Sequence, residues 1–284
     1  MGRTNHESEE NMYRLIICDL DETLISLNRT ISQRNIDAIK ALRDLGVKFV
    51  PATGRPYSSV QGTLRDLGLF DQPDEYVMSF NGSAITENRG NRLLHFEGMP
   101  FETVDALYRR GMNYDVCIHV YSADMVYVYN FAHNEKEYLN NRMEVTEITD
   151  RDLSFLRGRQ LVKILYTNPD YGYLNMVERE VSDLTGDCDI SYSSNRYLEF
   201  NKKGVNKGNG LRRLAQLLNI DVAETMAIGD NINDLSMIQA AGLGVGVGNT
   251  VENMKPLCDY VTEGDCDHSG VAEAIEKFVL HSVR

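Results

Sequence analysis

The chain has 284 residues, which fits one large domain or two smaller ones, and its 42% hydrophobic and 25% charged residues are typical of globular proteins that bury a core. The net charge of −13, from 29 basic and 42 acidic residues, argues against general nucleic-acid binding. An anionic substrate would have to meet a local cationic site, which a metal ion can supply.

The first predicted element is a strand from Leu15 to Asp19, which is apolar on both faces and is followed by Asp21. Such a strand is typical of the centre of a parallel sheet, and open α/β sheets bind ligands at the C-terminal edge. Two carboxylates at this edge repel each other, so they favour a hard divalent cation between them. The next predicted elements are a helix from Ser32 to Leu45, a strand at 47–52, a helix from Pro56 to Leu67 and a strand at 75–80.

The pattern changes between residues 86 and 194, where hairpins alternate with helices. This mixture is typical of an α+β unit with an antiparallel sheet, so we expect an inserted domain over 86–194. The predicted strands lie at 92–97, 116–121, 125–130, 161–166 and 189–193, and the predicted helices at 101–112, 134–143 and 171–184.

Parallel α/β order returns after the insert, with helices at 207–218, 235–240 and 269–280 and strands at 225–229 and 243–247. The predicted fold class is therefore α/β. A core with a doubly wound, Rossmann-like parallel sheet, formed by residues 13–85 and 195–284, is interrupted by the α+β insert. Residues 1–12 are polar and charged, and we expect them to form a disordered tail.

No apolar run approaches the length of a membrane-spanning helix and the N-terminal residues lack the apolar core of a signal peptide, so we expect neither membrane insertion nor export. Its cysteines are odd in number and form no CxxC pair, which argues against a disulfide framework or a zinc site and favours a reducing compartment. We therefore expect a cytoplasmic protein without a membrane or nucleic-acid partner. The sequence leaves both a monomer and a dimer open. The cysteines are Cys18, Cys117, Cys188, Cys258 and Cys266.

Polar residues follow four of the predicted core strands, and a lysine opens the helix after the insert. Because the C-terminal ends of parallel strands meet at one edge, these side chains can converge. Together they offer carboxylates for a cation, a hydroxyl and an ammonium for phosphate oxygens, and a candidate nucleophile. The residues are Asp19, Asp21, Thr53, Asn81, Lys207, Asp230, Asn233 and Asp234.

Four ordered motifs resemble those of the haloacid dehalogenase superfamily: Asp19-Leu20-Asp21-Glu22-Thr23, Thr53, Lys207 and Gly229-Asp230-Asn231-Ile232-Asn233-Asp234. Further stretches are similar to the Cof-type phosphatases with a type IIB cap: Ala52-Thr53-Gly54-Arg55, Asn81-Gly82-Ser83, Val205-Asn206-Lys207-Gly208 and Gly270-Val271-Ala272. The insert lies between the second and third motifs, where that class carries its cap. The resemblance extends from about Tyr13 to about Leu280.

The resemblance implies a Mg²⁺-dependent phosphatase in which Asp19 attacks phosphorus to form an aspartyl-phosphate and Asp21 acts as acid and base. It implies that an Asp19 oxygen, the Asp21 backbone carbonyl and Asp230 hold Mg²⁺, with Asn233 or Asp234 adding or orienting a ligand. Substrate and phosphate would be bound by Leu20, Thr53, Gly54, Arg55, Asn81, Gly82, Lys207 and Asn233. The cap is expected to close over the site and to select the leaving group.

The substrates implied are small phosphorylated metabolites, with sugar phosphates first and phosphorylated cofactors such as pyridoxal phosphate or flavin mononucleotide next. Two alternatives stay open: a sugar phosphomutase of the same superfamily and a non-enzymatic phospho-receiver. Arg55 is equally compatible with a structural ion pair and with a substrate contact, and Glu199 and Asn201 are allowed substrate contacts. Glu22 stands where the family has glycine, which we expect to alter the turn after Asp21 and to add negative charge if its side chain points inward.

Overall fold

A computed structural model describes residues 13–140, 143–193 and 196–281, so the predicted tail at 1–12 lies outside the described residues. The chain divides into two compact units. Of the described residues, those up to Leu94 and from Asn206 onward form the core unit, and those within His95–Val205 form the second unit.

The core unit begins with strands and helices in alternation and then adds two consecutive strands. They are β1 (Leu15–Asp19), α1 (Gln33–Asp44), β2 (Lys48–Ala52), α2 (Gln61–Asp66), β3 (Tyr76–Ser79), β4 (Ala84–Glu87) and β5 (Arg92–Phe96). Ser32 caps α1 as its sequence predicts, because its hydroxyl accepts the N–H of Asn35 at 3.2 Å. Pro56 precedes a short 3-10 turn over Tyr57–Val60, so α2 begins later than predicted.

The second unit contains α3 (Phe101–Gly111), β6 (Cys117–Ser122), β7 (Val126–Tyr129), α4 (His133–Leu139), β8 (Val145–Ile148), β9 (Leu161–Thr167), α5 (Tyr171–Glu180), β10 (Cys188–Ser193) and β11 (Tyr197–Lys202). Its six strands lie in the order β10-β11-β9-β6-β7-β8 and are antiparallel except for the parallel pair β7–β8. Helices α3 and α5 pack against one face of this sheet, around Tyr108, Tyr166 and Phe200.

The core unit is completed by α6 (Lys207–Leu218), β12 (Thr225–Gly229), α7 (Leu235–Ala240), β13 (Leu243–Gly246), β14 (Tyr260–Val261) and α8 (Gly270–Ile275). The eight strands follow the order β14-β13-β12-β1-β2-β3-β4-β5, and β1 pairs in parallel with both β2 and β12. The fold class predicted from the sequence, α/β with a doubly wound parallel core and an α+β insert, is confirmed.

Strand β1 is buried on both faces, which explains its unbroken apolar sequence. Ile16 and Cys18 pack with α1, α2 and α8, whereas Leu15 and Ile17 pack with α6 and α7. Helices therefore cover both sides of the sheet at this strand. Asp19 stands at the end of β1, so the helix layers fix the position of its backbone.

The boundaries between the two compact units differ from the predicted boundaries of the insert at residues 86 and 194. The division falls inside β5, because β4 and β5 extend the core sheet: β4 pairs antiparallel with β3. The other division follows β11, which lies between β10 and β9 in the sheet of the second unit. Strands β4, β8, β11 and β14 have no counterpart among the predicted elements.

Candidate active site

The candidate site lies at the C-terminal ends of three neighbouring core strands. In the parallel register Asp19 pairs with Ala52 of β2, and the preceding Cys18 pairs with Ile228 of β12. Residues that follow β2 and β12 therefore come level with Asp19. This places Thr53 on one side of Asp19 and Asp230 on the other.

Three buried carboxylates lie together at this edge. Asp19, Asp230 and Asp234 each offer an oxygen, and these atoms all lie within 4.8 Å of one another. Asp19 is 6% exposed, Asp230 4% and Asp234 0%. Buried carboxylates at this separation repel one another unless positive charge lies between them.

Lys207 supplies one such charge and is itself fully buried. Its ammonium group donates to Asp19 Oδ1 and, at 2.6 Å, to Asp234 Oδ1. Lys207 is the first residue of α6, which Asn206 caps by accepting the N–H of Asn209 at 2.9 Å. A Cβ on the following Gly208 would lie 2.2 Å from a backbone oxygen of α7, so glycine permits this close packing of the two helices.

Burial is the largest influence on the pKa values of Asp19 and Asp230. It raises the pKa of Asp19, an effect that Lys207 opposes and Asp234 reinforces. It also raises the pKa of Asp230 to about 6, although a hydrogen bond from Thr23 works in the opposite direction. For Lys207, burial favours a lower pKa, but the two contacting carboxylates outweigh it and raise that pKa. The buried carboxylates are therefore more stable as charged groups when a cation lies beside them.

Hydrogen bonds orient the carboxylates of Asp230 and Asp234. Asp234 Oδ2 accepts the backbone N–H groups of Asp230 and Asn231, both at 3.1 Å. A Cβ on Gly229 would lie 2.5 Å from the Asp234 Cβ, so only glycine leaves room for this carboxylate. The Thr23 hydroxyl donates to Asp230 Oδ1 at 2.6 Å. The Asp234 carboxylate is thus already engaged by Lys207 and two backbone groups.

Asp21 takes a different position from the buried cluster. Its side chain is 49% exposed and forms an ion pair with the guanidinium of Arg55, whose side chain is 42% exposed. The next residue, Glu22, is exposed and has a φ of 61°, in the left-handed region. Its negative charge contributes to the raised pKa of Asp230, after burial and Asp234.

Thr53, Gly54 and Asn81 form a second group beside the carboxylates. Thr53 is buried, and its Oγ1 accepts the backbone N–H of Arg55 at 3.0 Å, which leaves the hydroxyl hydrogen for another acceptor. Its carbonyl accepts the N–H of Asn81 at 2.9 Å. Asn81 has a φ of 55°, and its buried Oδ1 has no hydrogen-bond partner. A Cβ on Gly54 would lie 3.3 Å from that oxygen. A Cβ on Gly82 would lie 2.4 Å from the Asn206 carbonyl oxygen, directly before Lys207.

The structure brings Asp19, Asp230, Asp234 and Lys207 into one cluster and pairs Asp21 with Arg55. The remaining predicted residues lie in different surroundings. Leu20 is buried after β1, where its carbonyl accepts the N–H of Ile25 at 2.8 Å, and the side chain of Asn233 is exposed. In the second unit, Glu199 is buried on β11 and accepts from Lys163 at 2.5 Å and from Ser193, and Asn201 lies on the same strand.

The sequence did not single out Asn249, which follows β13 and donates from Nδ2 to the Glu22 carbonyl at 2.8 Å. The only sequence signal for it is its position after the glycine-rich strand, where turn-forming residues are common. Across the parts of the chain that the structure covers, no helix has the length and apolarity that crossing a membrane requires.

Comparison with known proteins agrees with this geometry. A family model of haloacid dehalogenase-like hydrolases matches residues 16–275. A haloacid dehalogenase-like hydrolase from Bacteroides thetaiotaomicron has a similar structure, with a TM-score of 0.81 and 32% identity over 93% of this chain and 99% of its own. An HMP-PP phosphatase of Yersinia pseudotuberculosis is 27% identical over 94% of this chain and 96% of its own. The fold also resembles the subclass IIB sugar phosphatase BT4131, with a TM-score of 0.76 and 23% identity over 93% of this chain and 98% of its own.

Proposed function

This chain belongs to the haloacid dehalogenase-like hydrolases and is a phosphatase of that family, and from this premise we propose that it hydrolyses small phosphorylated metabolites with Mg²⁺, through an aspartyl-phosphate on Asp19. The observation that carries the proposal is the buried cluster of Asp19, Asp230 and Asp234 in contact with Lys207. No packing requirement explains three carboxylates at this edge, whereas phosphoryl transfer requires a nucleophile, a cation site and a phosphate-binding cation there.

The donor set fits a hard divalent cation, since buried carboxylate oxygens lie within 4.8 Å of one another. The carboxylates of Asp19 and Asp230, together with the backbone carbonyl of Asp21, would hold Mg²⁺. We assign Asp234 to orientation, because its oxygens already accept hydrogen bonds from Lys207 and from two backbone N–H groups. Asn233 is a candidate for a further ligand or for a contact to phosphate. Bound Mg²⁺ supplies positive charge beside the transferring phosphoryl oxygens.

In the first step a carboxylate oxygen of Asp19 forms a bond to phosphorus as the bond to the leaving-group oxygen breaks. Asp21 gives its proton to that oxygen and becomes a carboxylate. In the second step the Asp21 carboxylate takes a proton from water, whose oxygen attacks phosphorus. The bond to Asp19 then breaks, which releases inorganic phosphate and restores both side chains.

Cationic and hydroxyl groups would hold the phosphoryl oxygens during both steps. Lys207 and Thr53 supply an ammonium and a hydroxyl donor, with backbone N–H groups near Leu20 and Gly54. The orphaned Oδ1 of Asn81 suits a donor group of the substrate, such as a hydroxyl. These local donors would let a chain with a net charge of −13 accept an anion.

The relatives support the proposed substrate class. The names of two of them specify HMP-PP and a sugar phosphate as the compounds on which those proteins act. For this chain we propose small phosphorylated metabolites, with sugar phosphates first and phosphorylated cofactors next.

A panel of phosphorylated metabolites, scored by release of inorganic phosphate with Mg²⁺ and with excess EDTA, tests the proposal. We expect turnover of at least one member with Mg²⁺, loss of turnover in EDTA, and loss in Asp19→Asn with the fold preserved by circular dichroism. Full activity in EDTA would contradict the metal assignment. Isomerised product without released phosphate would favour a mutase, and a stable phosphoprotein without turnover would favour a receiver.

A further inference from the structure

The turn after β1 contains a residue in a backbone conformation that side chains disfavour. Glu22 has a φ of 61°, which glycine adopts readily and other residues adopt only when their surroundings impose it. The Glu22 N–H donates to the Ile25 carbonyl at 3.0 Å, and the Ile25 N–H donates to the Leu20 carbonyl at 2.8 Å. These bonds fix one side of the turn. The residue before Glu22 is Asp21, the acid and base of the proposed mechanism.

The other side of the turn is held by a side chain from a distant loop. Asn249 Nδ2 donates to the Glu22 carbonyl at 2.8 Å, and its Oδ1 accepts the N–H of Cys266 at 2.9 Å. Both ends of the amide are therefore used, which fixes its orientation. The same loop also holds the second acidic segment, because the Val251 N–H donates to the Asp230 carbonyl at 2.9 Å.

We propose that Asn249 is a positioning residue that keeps Glu22 in its left-handed conformation and thereby sets the direction of the Asp21 side chain and carbonyl. The proposal rests on the proposed function, since it assigns Asn249 a role through Asp21. Without the hydrogen bond to its carbonyl, Glu22 relaxes toward a negative φ. That relaxation rotates the peptide that joins Asp21 to Glu22, and the acid moves away from the leaving group.

The inference predicts that the effect of removing the amide depends on the residue at position 22. Asn249→Ala is made in the parent, in Glu22→Gly and in Glu22→Gln. In the parent we expect kcat to fall about tenfold while KM stays within about threefold, because misplacement of a catalytic group lowers turnover more than binding. In Glu22→Gly the loss shrinks to about twofold or less, since glycine holds this φ unaided.

Glu22→Gln is the matched control, because it removes the same charge as Glu22→Gly but keeps the side chain. In this background we expect Asn249→Ala to cost the full tenfold or so in kcat. Asn249→Asp in the same background restores the parent's charge and keeps the acceptor for Cys266, but it cannot donate to the Glu22 carbonyl. It should lose kcat to the same extent as Asn249→Ala.

Equal losses in the Glu22→Gly and Glu22→Gln backgrounds would overturn the inference. The full-length variants are also unfolded in urea. We expect Asn249→Ala to lower the urea concentration at the midpoint of unfolding more in the parent and in Glu22→Gln than in Glu22→Gly. A parent without phosphatase activity would refute the proposed function alone, and the urea series would then decide whether Asn249 supports Glu22. If substitutions at positions 22 and 249 changed the urea midpoint independently and additively, Asn249 would not support the conformation of Glu22.

Discussion

Lys207 and Asp234 form an ion pair that is closed to solvent, with Nζ 2.6 Å from Oδ1 and neither side chain exposed. The same ammonium contacts Asp19. One buried cation thus faces a buried cluster of three carboxylates, and the cost of removing it is larger than the value of an ordinary surface pair. The pair connects α6 with the loop after β12, which carries two of the three carboxylates.

Replacing Lys207 with methionine, which has a similar length but no charge, should destabilise the protein in the absence of Mg²⁺. We expect the free energy of unfolding in urea to fall by about 3 kcal/mol, because the carboxylates lose the ammonium that contacts two of them. Adding Mg²⁺ should recover part of that loss. Lys40→Met, at an exposed position of α1, is the control and should change stability by less than about 0.5 kcal/mol. Unchanged stability of Lys207→Met would contradict the role of the pair.

The raised pKa of Asp230 predicts how the stability of the protein depends on pH. Its pKa is raised from 3.8 to about 6 by burial, so the folded protein binds its proton more tightly than the unfolded chain does. This group therefore stabilises the Mg²⁺-free protein most below about pH 4, and the contribution, about 3 kcal/mol at most, is lost as the pH rises through about 6. Asp230→Asn should remove that dependence. Thermal unfolding of both proteins at pH 4.5 and 7.5 measures the difference.

With Mg²⁺ present, Asp230 reverses the pH dependence of stability, because the proton and the cation compete for its carboxylate. The increase in Tm caused by Mg²⁺ should be full at pH 7.5 and should vanish as the pH falls through about 6. In Asp230→Asn the increase should be small at every pH. An increase in Tm that persists unchanged at pH 5 would contradict Asp230 as a ligand.

The strands at the centre of the core sheet were predictable because each of them carries its own signal. The apolar run of β1 predicts burial on both faces, and the structure packs Ile16 and Ile17 against helices on opposite sides. Ser32 predicts the start of α1 through its hydroxyl. Both features depend on neighbouring residues in the sequence, which local propensity describes well.

Strand β11 was missed because the partners of its buried glutamate lie on neighbouring strands of the sheet. Glu199 makes β11 look like a connecting segment, but Lys163 on β9 and Ser193 on β10 satisfy its carboxylate. The site shows the same limit. The contacts Thr23–Asp230 and Asn249–Glu22 join residues 207 and 227 positions apart. Sequence motifs indicate which residues are polar at strand ends, whereas only the folded chain decides which of them touch.

Thr23→Val tests the contact to Asp230 with a side chain of nearly the same shape. The Thr23 hydroxyl donates to the carboxylate and lowers its pKa, so removing it should raise the Asp230 pKa further and weaken Mg²⁺ binding at pH 7. We expect the Kd for Mg²⁺ to rise about tenfold, by calorimetric titration. Thr185→Val, a buried threonine of the second unit, is the control and should leave the Kd unchanged. An unchanged Kd in Thr23→Val would refute the assignment.

Arg55 was equally compatible with a structural pair and with a substrate contact, and its ion pair with Asp21 makes a specific prediction. If Arg55 orients the acid, Arg55→Ala lowers kcat about tenfold and changes KM by less than about threefold. The loss in the first step should depend on the leaving group, because a phenolate such as p-nitrophenolate departs without a proton whereas an alkoxide needs one. In the first turnover Arg55→Ala should therefore release p-nitrophenolate nearly as fast as the parent and the alcohol of a sugar phosphate much more slowly, whereas the second step, in which Asp21 acts as base, is slowed for both substrates. Asp21→Asn should show the same selectivity to a larger degree. A rise in KM with equal losses for both substrates would instead assign Arg55 to substrate binding.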